Sequence, residues 1–232
     1  MIEEPPLLTI KKEFRRPTES QISAFQGAAT GLVVDALFGA GALSSAIQLL
    51  DKGGGAEVCV AGPALTVDCG PADILAALAS LNYVKPGDIV ISAFSGHQGC
   101  AAGGDRLSGM MKNCGAAGFV TDGPVRDSAG IIACGLPVWC TGLTPASPYS
   151  SGPGSVGFPV QIGGQEVETG DIIVADRDGV VVVPFERIDE TIQSLARVRQ
   201  LEQDLDAQVA EGLKVPDRIV ELLASDKVSF SD

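Results

Sequence analysis

The chain has 232 residues, enough for one large domain or two small ones, and a formal net charge of −13 at pH 7. Hydrophobic residues make up 45% and charged residues 19%, a balance that is typical of a globular protein and excludes a disordered one. Because so acidic a chain repels phosphate backbones, and its one basic run is KKEFRR at 11–16, binding of DNA or RNA is not expected.

Cysteine usage and the N-terminal residues give an expectation about the compartment. The six cysteines form no CxxC pair, and several lie in apolar runs such as EVCVAG, which is typical of reduced core thiols. MIEEPP has no signal-peptide pattern, and no apolar stretch approaches the roughly 18 residues that a membrane span needs. A cytoplasmic protein without a membrane-spanning helix is therefore expected.

The N-terminal region is predicted to be an extended arm followed by a helix. Residues 1–17 contain three prolines, which oppose helix formation and indicate the arm. Thr18 and Gln21 have the spacing of a capping box, which predicts a helix within 18–29.

From residue 56 onward strand and helix patterns alternate, which is the order expected of an α/β domain. The predicted elements are one or two strands around Gly62-Pro63 in 56–69, a helix at 71–81, a strand in PGDIVISAF, a helix at 105–114, a strand in GFVTDG, a helix starting near Asp127 and a strand in LPVWC. PGDIVISA (86–93) and TGDIIVAD (169–176) resemble each other, which we interpret as the same Gly-Asp turn before an apolar strand and not as a duplication.

Two motifs in the second half resemble ligand sites but are interpreted as loops. TPASPYSSGPGSVG (144–157) is predicted to be a long loop, although its GPGSVG matches the dinucleotide-binding pattern. That pattern needs a strand before it and a helix after it, whereas FPVQIGG, a predicted strand, follows here, so no nucleotide cofactor is expected. DRDG (176–179) lacks further oxygen ligands for calcium and predicts a tight turn.

Residues 185–211 are predicted to form a long helix with a single apolar stripe. The apolar positions of the stripe are Ile188, Ile192, Leu195, Val198, Leu201, Leu205 and Val209. We therefore divide the chain into an α/β catalytic domain, residues 1–184, and a C-terminal helical arm, residues 185–232, which is expected to make oligomer contacts.

The single histidine and one lysine are interpreted as structural. His97 lacks companion ligands for a zinc site and has no G-x-S-x-G motif for a serine triad, so we expect a loop or supporting group. Lys112 lies in MMKNCG, which indicates a helix surface and not the desolvated pocket of a Schiff-base lysine.

GGDRLSGMMKNCGAAGFVTDGPVRD (103–127) carries the candidate site. Asp105 is predicted to start a helix, whose first amides could bind a substrate carboxylate, and Arg126-Asp127 follows a strand end, where ligands of α/β folds gather. Two carboxylates with water suit Mg²⁺ or Mn²⁺, and an arginine offers a forked cation to a keto-acid oxygen. The alternative is that Asp105 is only an N-cap and Arg126-Asp127 a surface ion pair.

The D-x20-R-D pattern within GGD…GAAGFVTDGPVRD resembles the RraA-like family. That family contains metal-dependent 4-hydroxy-4-methyl-2-oxoglutarate / 4-carboxy-4-hydroxy-2-oxoadipate aldolases and the regulator of ribonuclease activity A. The similarity runs from about residue 28 to 210 and includes GPALTV, KPGDIVI, GLPVW and GDIIVADRDGVVVVP. It implies an α/β fold, a single β/β/α sandwich domain resembling swivelling phosphohistidine domains, assembled as a homotrimer or homohexamer.

The resemblance also implies residue roles. Asp127 would be the direct metal ligand, Asp105 would hold a metal-bound water, and Arg126 would meet the keto oxygen. Glu202 is the candidate for an acidic residue that a neighbouring subunit's C-terminal helix supplies. The implied substrate-binding residues are Gly104, Asp105, Arg106, Leu107 and Arg126. SGHQGCAAGG, just before Asp105, departs from the better-studied aldolases and would shape the far end of the substrate.

The function that these observations favour is a class II pyruvate aldolase. It would cleave a 4-hydroxy-2-oxo acid to pyruvate and a second oxo acid, and would decarboxylate oxaloacetate as a side activity. Two alternatives stay open: a protein that binds and inhibits a ribonuclease or helicase, and another metal-dependent lyase, such as a sugar-acid dehydratase, on the same scaffold.

Overall fold

The computed structural model describes residues 6–51 and 58–231. The first residues of the predicted arm and of the predicted 56–69 strand region therefore lie outside the described residues. The chain divides into two compact units, Met1–Leu195 and Ala196–Asp232. None of the described helices is long and apolar enough to cross a membrane.

The fold is mixed α/β, with a central sheet and helices, as the sequence predicts. The described strands are β1 (Leu8–Ile10), β2 (Gln48–Leu49), β3 (Val60–Asp68), β4 (Ile89–Ala93), β5 (Gly118–Thr121), β6 (Val138–Cys140), β7 (Gly154–Val156), β8 (Val160–Ile162), β9 (Gln165–Val167), β10 (Ile172–Ala175) and β11 (Val180–Val183). The described α-helices are α1 (Glu19–Phe25), α2 (Thr30–Ala36), α3 (Leu75–Ser80), α4 (Asp105–Asn113), α5 (Ser128–Cys134), α6 (Ile188–Ala210) and α7 (Asp217–Leu223).

The first unit is a three-layer arrangement, which fits the expected β/β/α sandwich. Strands β3, β4, β5 and β6 run parallel in the middle of the sheet, and β10 and β11 extend it through the start of β3. Side chains of β4 alternate between two cores: Val90 packs with helices α3, α4 and α5, whereas Ile89 and Ile91 pack with β8 to β11. A parallel strand that is buried on both faces reads as a continuous apolar run, which is why PGDIVISAF predicts one.

Strand β3 is a single strand whose two halves have different partners. Val60–Pro63 pairs antiparallel with β10, and Ala64–Asp68 pairs parallel with β4. The change of partner falls at Gly62-Pro63, where a Cβ on Gly62 would lie 2.1 Å from the carbonyl oxygen of Gly87. The prediction of one or two strands around this dipeptide thus corresponds to one chain segment that joins two sheet regions.

The two Gly-Asp turns share their chemistry, as the sequence interpretation expects. The Asp88 carboxylate accepts from the amide of Lys85 at 2.9 Å, and the Asp171 carboxylate accepts from the amide of Glu168 at 2.8 Å. Each aspartate follows a glycine of positive φ, and each is buried. Burial is the largest effect on both side chains and raises the pKa of each carboxyl group above its usual value.

The N-terminal arm is fastened to both turns by consecutive arginines. Arg15 pairs with Glu168 and Glu186, and Arg16 pairs with the buried Asp88. The arm also contributes β1, which pairs with β7. The basic run at 11–16 thus includes two arginines that hold the arm against the domain.

Several local predictions are confirmed and two need correction. The Thr18 capping box is present, and DRDG forms the turn between β10 and β11. The predicted helix at 71–81 is shorter, because Asp73 accepts from the amides of Leu75, Ser151 and Gly152 and so fixes a turn before α3. The predicted loop at 144–157 ends in β7, which lies between β1 and β3. A long-range pairing thus overrides the Pro/Gly-rich composition of that segment.

Apolar side chains of the C-terminal unit are exposed in the single chain. On α6 the stripe residues Leu201, Leu205 and Val209 are exposed, whereas Ile188 and Leu195, in the first unit, are buried. Exposed apolar stripes of this kind are typical of protein–protein contacts. Assembly as a homotrimer or homohexamer through this arm stays a prediction.

Candidate active site

The N-terminus of α4 presents backbone donors at the edge of the central sheet. Gly104 is the N-cap of α4, and the first intrahelical bond runs from the Ser108 amide to the Gly104 carbonyl at 3.0 Å. The amides of residues 105–107 therefore precede that ladder, and a helix start of this kind attracts anions. Asp105 is the first helical residue and not the N-cap, and one of its oxygens accepts from the Arg106 amide at 2.7 Å.

Three chain segments are joined by backbone hydrogen bonds next to this helix start. Ala102 donates to Pro124 at 2.7 Å and Arg126 donates to Gly103 at 3.1 Å, so 101–104 pairs with 124–126. On the other side, the Val125 amide donates to the Gly142 carbonyl, and the Val125 carbonyl accepts from the Thr144 amide. The residues between β5 and α5 are consequently held on both sides, which fixes the directions in which the Arg126 and Asp127 side chains project from the backbone.

Two glycines allow the predicted site residues to approach one another. A Cβ on Gly104 would lie 3.1 Å from an Asp127 carboxylate oxygen and 3.1 Å from Arg126 Cγ. A Cβ on Gly130, in α5, would lie 2.7 Å from Asp105 Cβ. The structure therefore brings Asp105, Arg126 and Asp127 together around the start of α4, as the sequence interpretation expects.

Asp127 has an unusual backbone conformation. Its φ of 57° and ψ of 43° lie in the left-handed region, and its side chain makes no capping bond to α5. Non-glycine residues in this region carry a local free-energy cost, and such residues cluster at functional sites. The carboxylate is half exposed and faces Arg126, whose Nε lies 3.2 Å from Asp127 Oδ2.

An open cleft of about 320 Å³ adjoins these side chains. One wall is formed by residues 125–128 and the other by residues 143–145, with Leu143 60% exposed. Just beyond that second wall, Ser147 accepts a hydrogen bond from Arg126 Nη1 at 2.7 Å. Neither residue stands out in the sequence: Ser147 lies in the predicted loop at 144–157, and Leu143 directly precedes it.

Asp122 fixes the start of the SGHQGCAAGG loop (95–104), which precedes Asp105. Its carboxylate accepts from the amides of Phe94 at 2.6 Å and Gly96 at 2.8 Å. The Gln98 side chain donates to the Asp122 carbonyl at 2.9 Å and accepts from Thr141 Oγ1 at 2.8 Å. His97 in this loop packs edge-on against Phe94, at 5.7 Å between ring centroids, which agrees with a structural role.

The cysteines near the site are not suited to nucleophilic catalysis. Burial raises the pKa of the Cys100 and Cys140 thiols, which lie in the segments leading into the site. Burial also raises the pKa of Cys69 to about 11. Since the thiolate is the reactive form, protonated buried thiols of this kind are inert. None of the six cysteines, all of which belong to the described residues, forms a disulfide, and Cys69, Cys100 and Cys140 are buried.

The described residues include no cluster of three or more His, Cys, Asp or Glu side chains that could hold a metal ion. A cation at Asp105 and Asp127 would need water or substrate oxygens for its remaining positions, which Mg²⁺ accepts readily. Glu202 lies on the part of α6 that belongs to the second unit, and its role stays a prediction.

Comparison with known proteins identifies similar sequences and folds. The RraA-like family model, described as Aldolase/RraA, matches residues 30–182. A protein of Halalkalibacterium halodurans named "Putative 4-hydroxy-4-methyl-2-oxoglutarate aldolase" is 35% identical over 79% of this chain and 85% of its own length. Streptomyces coelicolor RraAS2, described as an unusual member of the RNase ES inhibitor RraA protein family, is 30% identical, with a TM-score of 0.73, and the match covers 83% of this chain and 100% of that one. An uncharacterised Pseudomonas syringae protein is 26% identical, with a TM-score of 0.76, and the match covers 88% of this chain and 94% of that one.

Proposed function

Because the chain belongs to the RraA-like family, we propose that it is a divalent-metal-dependent lyase that cleaves a 4-hydroxy-2-oxo acid to pyruvate and a second oxo acid. The observation that carries the proposal is the approach of Arg126 and Asp127 to Gly104, beside Asp105 at the start of α4, together with the approach of Asp105 to Gly130. A surface ion pair and an isolated helix cap would not need glycines at both contact points. The name of the Halalkalibacterium relative supports the same reaction class.

The side chains present fit a hard divalent cation. Asp105 and Asp127 supply carboxylate oxygens, and the Asp127 side chain is 49% exposed, which leaves room for water. Asp127 would be the direct ligand, and Asp105 would act through water. The chemistry that Mg²⁺ or Mn²⁺ supplies in such a site is Lewis-acid polarisation of a 2-oxo acid.

Substrate binding, proton transfer and charge stabilisation would fall to different residues of the site. The amides of Asp105 and Leu107 at the start of α4 would bind the substrate carboxylate, while the Arg106 amide donates to the Asp105 side chain. A water positioned by Asp105 would take the proton of the C4 hydroxyl, whose oxygen then becomes the carbonyl of the second oxo acid as the C3–C4 bond breaks. The electron pair of that bond moves toward the C2 oxygen, where Arg126 donates hydrogen bonds to the developing negative charge. Transfer of that proton from the water held by Asp105 to C3 completes pyruvate and restores the water.

A regulatory role is the second candidate, because the Streptomyces relative is described as a member of an RNase ES inhibitor family and is covered in full by the match. A protein of this kind needs a binding surface and no reaction. The net charge of −13 is compatible with a basic protein partner. This candidate does not require the close approach of Arg126 and Asp127 to Gly104.

The test is pyruvate release from oxaloacetate and from a series of 4-hydroxy-2-oxo acids with different C4 substituents. We expect activity with Mg²⁺ or Mn²⁺, loss of it with a chelator, and recovery when the metal is restored. A correctly folded protein that releases no pyruvate from any of these substrates would exclude the lyase and favour the regulatory candidate.

Gly130→Ala is expected to lower kcat/KM by about 10–100-fold, because misplacement of a catalytic group by an ångström can cost about 100-fold. The new methyl group would meet Asp105 Cβ at 2.7 Å and push that side chain from its place. Gly109→Ala is the matched control, since a Cβ there meets nothing within 4 Å. We expect it to retain full activity and to gain up to about 1 kcal/mol in helix stability. Equal activity in both variants would mean that Asp105 needs no close contact with α5.

A further inference from the structure

We propose that Ser147 is a positioning residue. It orients the Arg126 guanidinium and thereby keeps one carboxylate oxygen of Asp127 out of contact with that guanidinium. The inference rests on the proposed function. It concerns a contact that the sequence patterns do not reveal, between side chains 21 positions apart.

Arg126 is held at two points of its guanidinium. Nε lies 3.2 Å from Asp127 Oδ2, and Nη1 donates to Ser147 Oγ at 2.7 Å. Only Nη1 makes a hydrogen bond, whereas the Nε approach is an ion-pair contact, so four of the five guanidinium N–H groups remain to donate to a substrate oxygen. The Arg126 side chain is 38% exposed, so these two contacts and not dense packing fix its orientation.

Ser147 is itself on a rigid support. The Ala146 carbonyl accepts from the Ala101 amide at 3.0 Å, and the Thr144 amide donates to the Val125 carbonyl at 3.0 Å. The serine is thus tied to both segments that carry the other site residues. Because the backbone on either side of Ser147 is hydrogen-bonded to these segments, its hydroxyl can fix the orientation of the flexible Arg126 side chain. A hydroxyl on a mobile loop would move together with the arginine and could not orient it.

The contact also limits how Arg126 pairs with Asp127. Arginine and carboxylate groups often form a bidentate pair through two parallel N–H···O bonds, which would occupy both Asp127 oxygens. Only the Nε contact to Oδ2 is present here, while Ser147 holds Nη1. Asp127 therefore keeps an oxygen for a cation, and Arg126 keeps donors for the substrate.

Ser147→Ala is expected to lower kcat by about 10–100-fold, the usual cost of losing a group that orients a ligand or catalytic residue. It should also weaken Mn²⁺ binding, measured by the free Mn²⁺ signal in electron paramagnetic resonance, because Arg126 then closes onto Asp127. Ser147→Thr, which keeps the hydroxyl, should restore both values. Ser150→Ala, three positions along the same exposed segment, should behave as wild type in both measurements.

The ¹⁵N resonances of the Arg126 guanidinium separate this proposal from the proposed function. Hindered rotation of the guanidinium in the wild type that is lost in Ser147→Ala would support the positioning role, even if the wild type releases no pyruvate. Unchanged Arg126 resonances and unchanged Mn²⁺ affinity in Ser147→Ala would overturn it, whatever the activity of the wild type.

Discussion

Arg126→Lys is expected to lower kcat/KM by about 10²–10³-fold, equivalent to roughly 2.7–4 kcal/mol of transition-state stabilisation. Lysine keeps the positive charge but loses the planar fork, so it cannot contact Asp127 through Nε, Ser147 through Nη1 and a substrate oxygen at once. Because the negative charge on the C2 oxygen develops during the reaction, the loss should fall mainly on kcat and less on KM. Steady-state kinetics with oxaloacetate and with the best 4-hydroxy-2-oxo acid measure both.

The fold should tolerate this change, since the Arg126 side chain is partly exposed. We expect the thermal midpoint to move by no more than about 2 °C, as for other surface substitutions. Arg177→Lys, in the exposed turn between β10 and β11, serves as the control for a general effect of replacing arginine. Turnover of Arg126→Lys within twofold of wild type would remove Arg126 from the proposed chemistry.

The two corners of the site could be predicted from the sequence because each has a local cause. Glycines before Asp105 predict a helix start, and GFVTDG predicts a strand followed by a turn that releases Arg126-Asp127 at the same edge of the sheet. Parallel strands β4 and β5 then bring the two corners together. Local turn and helix rules predict the two corners but leave an N-cap and a surface ion pair as the alternative, and the resemblance to the RraA-like family favours a shared site.

Other features depend on pairings between distant segments and have no local pattern. Strand β7 lies in GPGSVG, whose glycines and proline favour a loop, and it forms only because β1 and β3 lie on either side of it. Ser147 faces Arg126 because Thr144 pairs with Val125, which nothing in TPASP reveals. The left-handed backbone of Asp127 is equally hidden, since aspartate does not require that conformation.

The arm illustrates the same distinction in energetic terms. KKEFRR is a short basic run on the predicted N-terminal arm, yet two consecutive arginines in it have very different surroundings. Arg15 pairs with Glu168 and Glu186, whose side chains are exposed, and lies 4.6 Å from the Phe185 ring. Arg16 pairs with Asp88, whose side chain is completely buried. Only the second pair is expected to matter strongly for stability, because exposed ion pairs are screened by solvent.

Arg16→Leu is therefore expected to destabilise the protein by about 3 kcal/mol at pH 7, because it leaves the Asp88 carboxylate buried without its partner. For a chain of this size that corresponds to a fall of roughly 6–12 °C in the thermal midpoint. Arg15→Leu is the matched control: it removes the neighbouring arginine and should cost much less. Thermal and urea unfolding of the three proteins give the comparison.

The pH dependence of this loss identifies its cause. Burial already raises the pKa of Asp88, and the Arg16 charge partly opposes the rise, so removal of Arg16 should raise that pKa further. A carboxyl group with a raised pKa in the folded state binds its proton more tightly there than in the unfolded chain. The Asp88 carboxyl group therefore stabilises the folded protein at pH values below its pKa in the unfolded chain. This stabilisation is lost as the pH rises through its pKa in the folded protein. Arg16→Leu should consequently recover stability relative to wild type as the pH falls from 7 toward 5.

Adding Asp88→Asn to Arg16→Leu should restore part of the lost stability at pH 7, since the amide carries no charge and its oxygen can still accept from the Lys85 amide. The double variant should also lose the pH dependence that distinguishes Arg16→Leu from wild type. If the double variant is no more stable than Arg16→Leu, and if acidification brings no recovery, the loss arises from the packing of the arginine stem and not from an unpaired buried charge. The arm would then be held by the contact area of the arginine stem and not by the charge of its guanidinium.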